Sequence, residues 1–299
     1  MRSRSPASNA CACSASWAYC SGLPPLRLWA ANMGPPPCSV SAGRCGSGQG
    51  GSGKMDVDSE SGASARTRDG FRHRGREVTR LEAFVDAAFA FSVTLLVISV
   101  DSIPDSMAAL ALALKGIPAF AASFAMIAMF WNAHANWSRR YGLDDGASKL
   151  LSLALVFLVL VYVYPLRIQF GVLFGWISGG WLPFPVKVGS VADLGFMYLV
   201  YGLAFSTMSL CVAGLYAHAR QRRGELGLDA QESASTSAEV AVWLYFVAIG
   251  VLSIVLAMAL PDRPTPLQLS LPGCVYFLLS FTGIVGARVQ RRAAARSSA

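Results

Sequence analysis

From position 80 onward the chain falls into six long apolar stretches separated by short polar ones, at about residues 82–102, 112–137, 148–171, 192–217, 239–260 and 268–288. A helix rises about 1.5 Å per residue, so about 20 apolar residues cross the hydrocarbon core of a bilayer, and each stretch reaches that length. The fifth, AVWLYFVAIGVLSIVLAMAL, carries no charge and stops at Pro261. The third opens LLSLALVFLVLVYVYPL and meets Pro165 only near its far end. None of them alternates with the period of two that a half-buried strand shows, and in lipid the backbone must bond internally. The pattern predicts an all-α membrane protein with six transmembrane helices.

Residues 1–75 have no periodic apolar face and are rich in Ser, Gly, Pro, Ala and Arg, the composition of a disordered segment. Five of the seven cysteines (Cys11, Cys13, Cys20, Cys38 and Cys45) lie there without a CxxC pair, and His73 is too distant to complete a zinc site. No metal centre and no cofactor are expected. The run GQGGSGK at 48–54 matches the opening of a phosphate-binding loop, but Met55 stands where Ser or Thr would hold magnesium and no strand precedes it, so it reads as a linker. No Asp or Glu precedes Asp56, and Met33 and Met55 are alternative starts. Residues 1–54 thus read as an extension, a targeting signal or a wrongly chosen start. The expected division is a polar segment at 1–75, a six-helix domain at 80–291 and a basic tail at 292–299.

Composition narrows the class. Only 14% of the 299 residues are charged and 54% are hydrophobic, with a mean hydropathy of +0.46, which excludes an ordinary soluble globule. The net charge of +8 does not mark a nucleic-acid binder, because the basic residues sit in short clusters between apolar runs. Arg66, Arg68, Arg72, Arg74, Arg76 and Arg80 precede the first stretch, and Arg139, Arg140 and Lys149 lie between the second and third. Arg220, Arg222 and Arg223 follow the fourth, and Arg288, Arg291, Arg292 and Arg296 follow the sixth. The other loops hold little beyond Lys115, Lys187 and Arg263, with Arg167 near a helix end. The positive-inside rule then places both termini in the cytosol and the aromatic stretch 174–184, with Trp176 and Trp181, at the outer interface.

Ionisable residues within apolar spans are the default functional candidates, because a charge in lipid costs several kcal/mol. Asp86 lies one turn into the first helix, and His134 lies about one turn from the cytosolic end of the second. The antiparallel topology puts the two at similar depth, within reach of a shared hydrogen bond. Phe124, Ile127, Trp131 and His134 make one stripe at spacings of three and four. On the first helix, at 100° per residue, Arg80, Phe84, Phe91, Thr94, Leu95 and Ile98 share about a third of a turn, and Asp86 points away from them. That face is suited either to line a narrow path or to rest against lipid or core. His218, beside Arg220 at a helix end, reads as a solvated boundary residue.

The string RLEAFVDAAFAFSVTLLV at 80–97, with Ser123 and Phe124, the Trp131-x-x-His134 pair and Asp145 leading into KLLSLAL, resembles the transmembrane protein 175 family of potassium channels. The resemblance spans all six apolar segments. The family signature of Arg, three residues, Phe, Ser and Asp stands here as Arg80, Phe84, Val85 and Asp86, with Val85 in place of Ser. Membership would imply a homotetrameric, potassium-selective, leak-type channel lined by the first helix and lacking the TVGYG filter; the chain indeed contains no GYG. The family's apolar constriction maps onto Phe91, with Leu95 and Ile98 deeper on the same face, and its pore-facing Thr maps onto Thr94. Arg80, Phe84, Asp86, Trp131 and His134 would form a polar network serving assembly and folding. The implied partners are permeant potassium ions, the lipid bilayer and three further copies, and the implied location is the cell membrane, or an endosomal or lysosomal one in an animal. The competing reading is a proton-coupled or other secondary transporter, which would place carboxylates near the midplane of helices two to six, where this chain has none. A membrane enzyme would need clustered His, Asp or Glu, and neither HExxH nor a pair of carboxylates at midplane depth occurs.

Overall fold

The computed structural model describes residues 71–72, 74–75, 77–98, 105–186, 189–261 and 263–297. The Cys-bearing segment, its 48–54 loop and the residues up to 70 lie outside them. The helices are α1 (Arg80–Ile98), α2 (Met107–Leu114), α3 (Ile117–Tyr141), α4 (Gly146–Ile177), α5 (Val191–Gln221), α6 (Ala230–Met258), α7 (Pro266–Cys274), a 3₁₀ turn (Val275–Phe281) and α8 (Thr282–Ser297). Among the described residues six spans are long and apolar enough to cross a membrane: α1, α3, α4, α5, α6 and the composite Leu267–Arg292.

The ends follow from local chemistry. Asp145 caps α4 by accepting the Ser148 N–H, and reciprocal capping boxes open α5 (Ser190 with Asp193), α6 (Asp229 with Glu232) and α7 (Thr265 with Gln268). The α3 helix stops at Gly142, whose φ of 58° suits a left-handed cap, and its N–H returns to the Ser138 carbonyl at 2.8 Å. Pro165 lies inside α4 without ending it. At 32 residues this helix is about 48 Å long, so it outruns the hydrocarbon core.

Packing runs in chain order: α1 rests on α3 and α4, α4 on α5, α5 along its length on α6, and α8 on α6. Aromatic side chains fill the centre, Phe130 against Trp243 and Phe205 against Phe246 at ring distances of 5.7 and 5.6 Å. Small residues bring α5 and α6 close together. A Cβ on Gly202 would meet Ile254 Cγ1 at 2.6 Å, and one on Gly250 would meet Ser206 Oγ at 2.2 Å. The polar contacts gather at the end where α1, α4 and α6 begin and α3, α5 and α8 finish: Arg140 with Glu239, His218 with Asp145, and Gln290 with Ser235. At the other end the Lys115 amine lies 4.9 Å over the Trp181 ring.

Ahead of α1, Phe71, Arg72, Arg74 and Gly75 pack against α3 and α6 through a buried aromatic ring and an ion pair on the buried Glu232 carboxylate. At the other end of the chain α8 runs to Ser297.

Candidate functional site

The α1 helix has two unlike faces. Val85, Phe89, Ser92 and Leu96 are buried against the subunit. Opposite them Ala83, Phe84, Ala87, Ala90, Phe91, Thr94, Val97 and Ile98 form an uncovered stripe at helical spacing. Phe84 and Phe91 are each 55% exposed, and Ile98, the last residue of the helix, is 64% exposed. Leu95 stands at the edge of the stripe and packs partly against the core. The Thr94 hydroxyl donates to the Ala90 carbonyl at 3.1 Å. With its proton committed to the helix, Oγ1 offers lone pairs to the uncovered side, the chemistry a desolvating cation requires.

Behind this face lie the polar groups. Trp131 Nε1–H donates to Asp86 Oδ1 at 2.8 Å, tying α1 to α3. His134 does not bond Asp86 as expected. It is buried, and its Nε2 shares a hydrogen bond with Ser152 Oγ on α4 at 2.9 Å. The i, i+3 spacing of Trp131 and His134 turns one toward α1 and the other toward α4, so the two are separate ties. The Arg80 side chain is exposed and makes no hydrogen bond or ion pair with another described residue. Val85 is fully buried and belongs to the hydrophobic core.

Several residues were not legible as site components in the sequence. Arg167 Nη1 donates to the Leu96 carbonyl at 3.3 Å, in the last turn of α1, where carbonyls lack helical partners and a cation complements the helix dipole. His218 is not a solvated boundary residue: its Nε2–H donates to Asp145 Oδ2 at 2.7 Å, with Arg222 3.4 Å from the same oxygen. Burial pushes the Asp145 carboxyl up, but hydrogen bonds from Ser148 and His218 outweigh it and hold the group down to about 2. Arg74, partly exposed, pairs at 2.7 Å with the buried Glu232 carboxylate. The signal for Glu232 was the Asp-x-x-Glu capping pattern at 229–232; nothing local marked Arg74 out among its neighbouring arginines.

A model of the family described as endosomal/lysosomal potassium channel TMEM175 matches residues 80–165, which hold α1 to α3 and most of α4. Over 236 residues the chain is 30% identical to a potassium channel of Marivirga tractuosa, covering 76% of this chain and 93% of that protein. A crystal structure of a variant of the potassium channel MtTMEM175, bound to a nanobody–MBP fusion, superposes with a TM-score of 0.64 at 27% identity. It covers 76% of this chain and all of that one. Channels of this kind conduct ions and are not enzymes. With six apolar helices and this likeness over three-quarters of its length, the chain is a multi-pass membrane protein that belongs to the TMEM175 potassium channel family.

Proposed function

We propose that the protein is a potassium-selective, leak-type channel in which α1 from each of four identical subunits lines a central pore, with no TVGYG filter and with both termini in the cytosol. The observation that carries this reading is the uncovered α1 stripe: large apolar side chains along the helix, left bare by the subunit, need either lipid or copies of themselves. A Thr oxygen open on that side favours an aqueous axis over lipid. Phe91 forms the constriction, with Ile98 and the edge residue Leu95 beyond it, and Thr94 contributes selectivity between them. Arg80 and Phe84 stand at the entrance, while Asp86, Trp131 and His134 hold the subunit together behind the pore. The basic clusters at one end support the cytosolic placement of the termini, and the single six-helix repeat supports the cell membrane as the site of action.

The test is potassium efflux from liposomes holding the purified tetramer, with sodium and proton gradients as controls. Rapid, non-saturating efflux with little sodium flux is the expected result. Saturable flux that follows a proton gradient would instead make the protein a secondary transporter. Silence from both wild type and Phe91→Ala would overturn the channel reading.

A further inference from the structure

The residues that lead into α1 are docked. Phe71 is 3% exposed, its ring edge-on to Tyr141 at 6.1 Å and 4.7 Å beneath the Arg140 guanidinium. The Arg72 backbone N–H donates to Glu232 Oε1 at 2.8 Å. The Arg74 guanidinium forks onto both oxygens of the same carboxylate, at 3.1 and 2.7 Å, and its Nε–H reaches the Leu226 carbonyl at 3.0 Å. Gly75 N–H donates to the Arg139 carbonyl, and a Cβ there would lie 2.7 Å from the Ser138 carbonyl oxygen, so the approach requires glycine. Glu232 is 1% exposed and also accepts the Asp229 N–H at 3.2 Å, so its charge is stabilised from three directions.

The partners of this segment lie on α3, on α6 and on the connection between α5 and α6. Only residues 76–79 separate it from Arg80, the first residue of α1, a tether of at most about 18 Å. The segment therefore ties the first turn of α1 to the body of the subunit, on the side away from the uncovered stripe. Removing Arg74 would leave the buried Glu232 carboxylate without its counter-charge, which is strongly destabilising.

We propose that Phe71, Arg72, Arg74 and Gly75 form a strap that holds the cytosolic end of the pore helix away from the channel axis, with Arg74 and Glu232 as positioning residues for the open state. The proposal rests on the reading of α1 as the pore lining.

The experiment uses the full-length tetramer and two independent releases of the strap. Arg74→Ala/Glu232→Gln removes both charges together, and Phe71→Ala removes the aromatic anchor; Arg74→Lys keeps the charge but loses the fork. Each is made in wild type and in Phe91→Ala. Tryptic cleavage after Arg72 reports docking, and single-channel recording in planar bilayers reports gating. Release is expected to speed cleavage at least tenfold and to lower open probability at least threefold, with Arg74→Lys intermediate. Unitary conductance and the potassium-to-sodium reversal potential should not change, whereas a merely structural role would lower the yield of tetramer and leave the gating of surviving tetramers alone. Cleavage as slow as in wild type, or an unchanged or raised open probability in freely cleaved channels, overturns the strap. If Phe91→Ala alone leaves the current unaltered, the pore reading has failed and the strap falls with it. If Phe91→Ala alters the current and strap release does not, the strap alone is refuted.

Discussion

Asp86 and Trp131 offer the sharpest test of how the pore helix is held. Their bond is 2.8 Å long, joins α1 to α3, and sets a carboxyl oxygen against an indole donor. Interhelical hydrogen bonds in membranes average about 0.6 kcal/mol by double-mutant cycles, whereas bonds to charged groups contribute about 1.5–3 kcal/mol. The short distance and the carboxylate put this one in the second class. Asp86→Ala should then destabilise the subunit by about 1.5–3 kcal/mol, between roughly tenfold and a hundredfold in the folding equilibrium. Trp131→Phe keeps the ring but strands the carboxylate, so it should cost at least as much. The double variant removes both partners and should be less damaging than the sum of the two singles, with a coupling of about 1–2 kcal/mol. Unfolding in mixed detergent micelles, followed by helicity, measures all four corners of the cycle. Gel filtration of the same samples should show Asp86→Ala losing tetramer first. A coupling below about 0.5 kcal/mol would refute the argument and leave Asp86 as one more solvated carboxylate.

Four further outcomes follow from the same geometry. Phe91→Ala should raise potassium current severalfold in bilayer recordings, because four smaller side chains let water enter an otherwise dewetted ring. Thr94→Val keeps the shape but removes the cation-facing oxygen, so bi-ionic reversal potentials should shift toward equal permeability for potassium and sodium. Gly250→Ala should cost about 1–3 kcal/mol in the unfolding assay, since its Cβ would lie 2.2 Å from Ser206 Oγ at the α5–α6 crossing. Asp145 has a folded value of about 2 against an ordinary 3.8, so its contribution is complete above about pH 5 and is lost as pH falls through the folded value; Asp145→Asn should therefore lower the melting temperature at about pH 5, with the gap to wild type narrowing steadily as pH falls and closing only at about pH 1.

Much of this architecture was readable along the chain. Hydrophobic length located all six spans, because a bilayer demands it locally. A rotation of 100° per residue separated Asp86 from Phe84, Phe91, Thr94 and Ile98, and these residues indeed lie on the uncovered side of α1 while Val85, Phe89 and Leu96 are buried. Helix extents were less legible. The α6 helix begins at Ala230, some nine residues before its apolar run, because the capping box of Asp229 and Glu232 opens it and Arg74 neutralises the carboxylate.

Pairing belonged to the tertiary structure alone. Depth along the membrane allowed Asp86 to meet either Trp131 or His134, and the rotation of α3 decided for Trp131, sending His134 to Ser152. The same holds for His218 on Asp145, across two helices, and for the docking of Phe71 and Arg74 ahead of α1, where the arginines look alike in sequence. Periodicity and span length are properties of one helix and can be counted from its residues. Which polar atoms come within 3 Å depends on how neighbouring helices rotate and slide against each other, and that is settled by packing across the whole subunit.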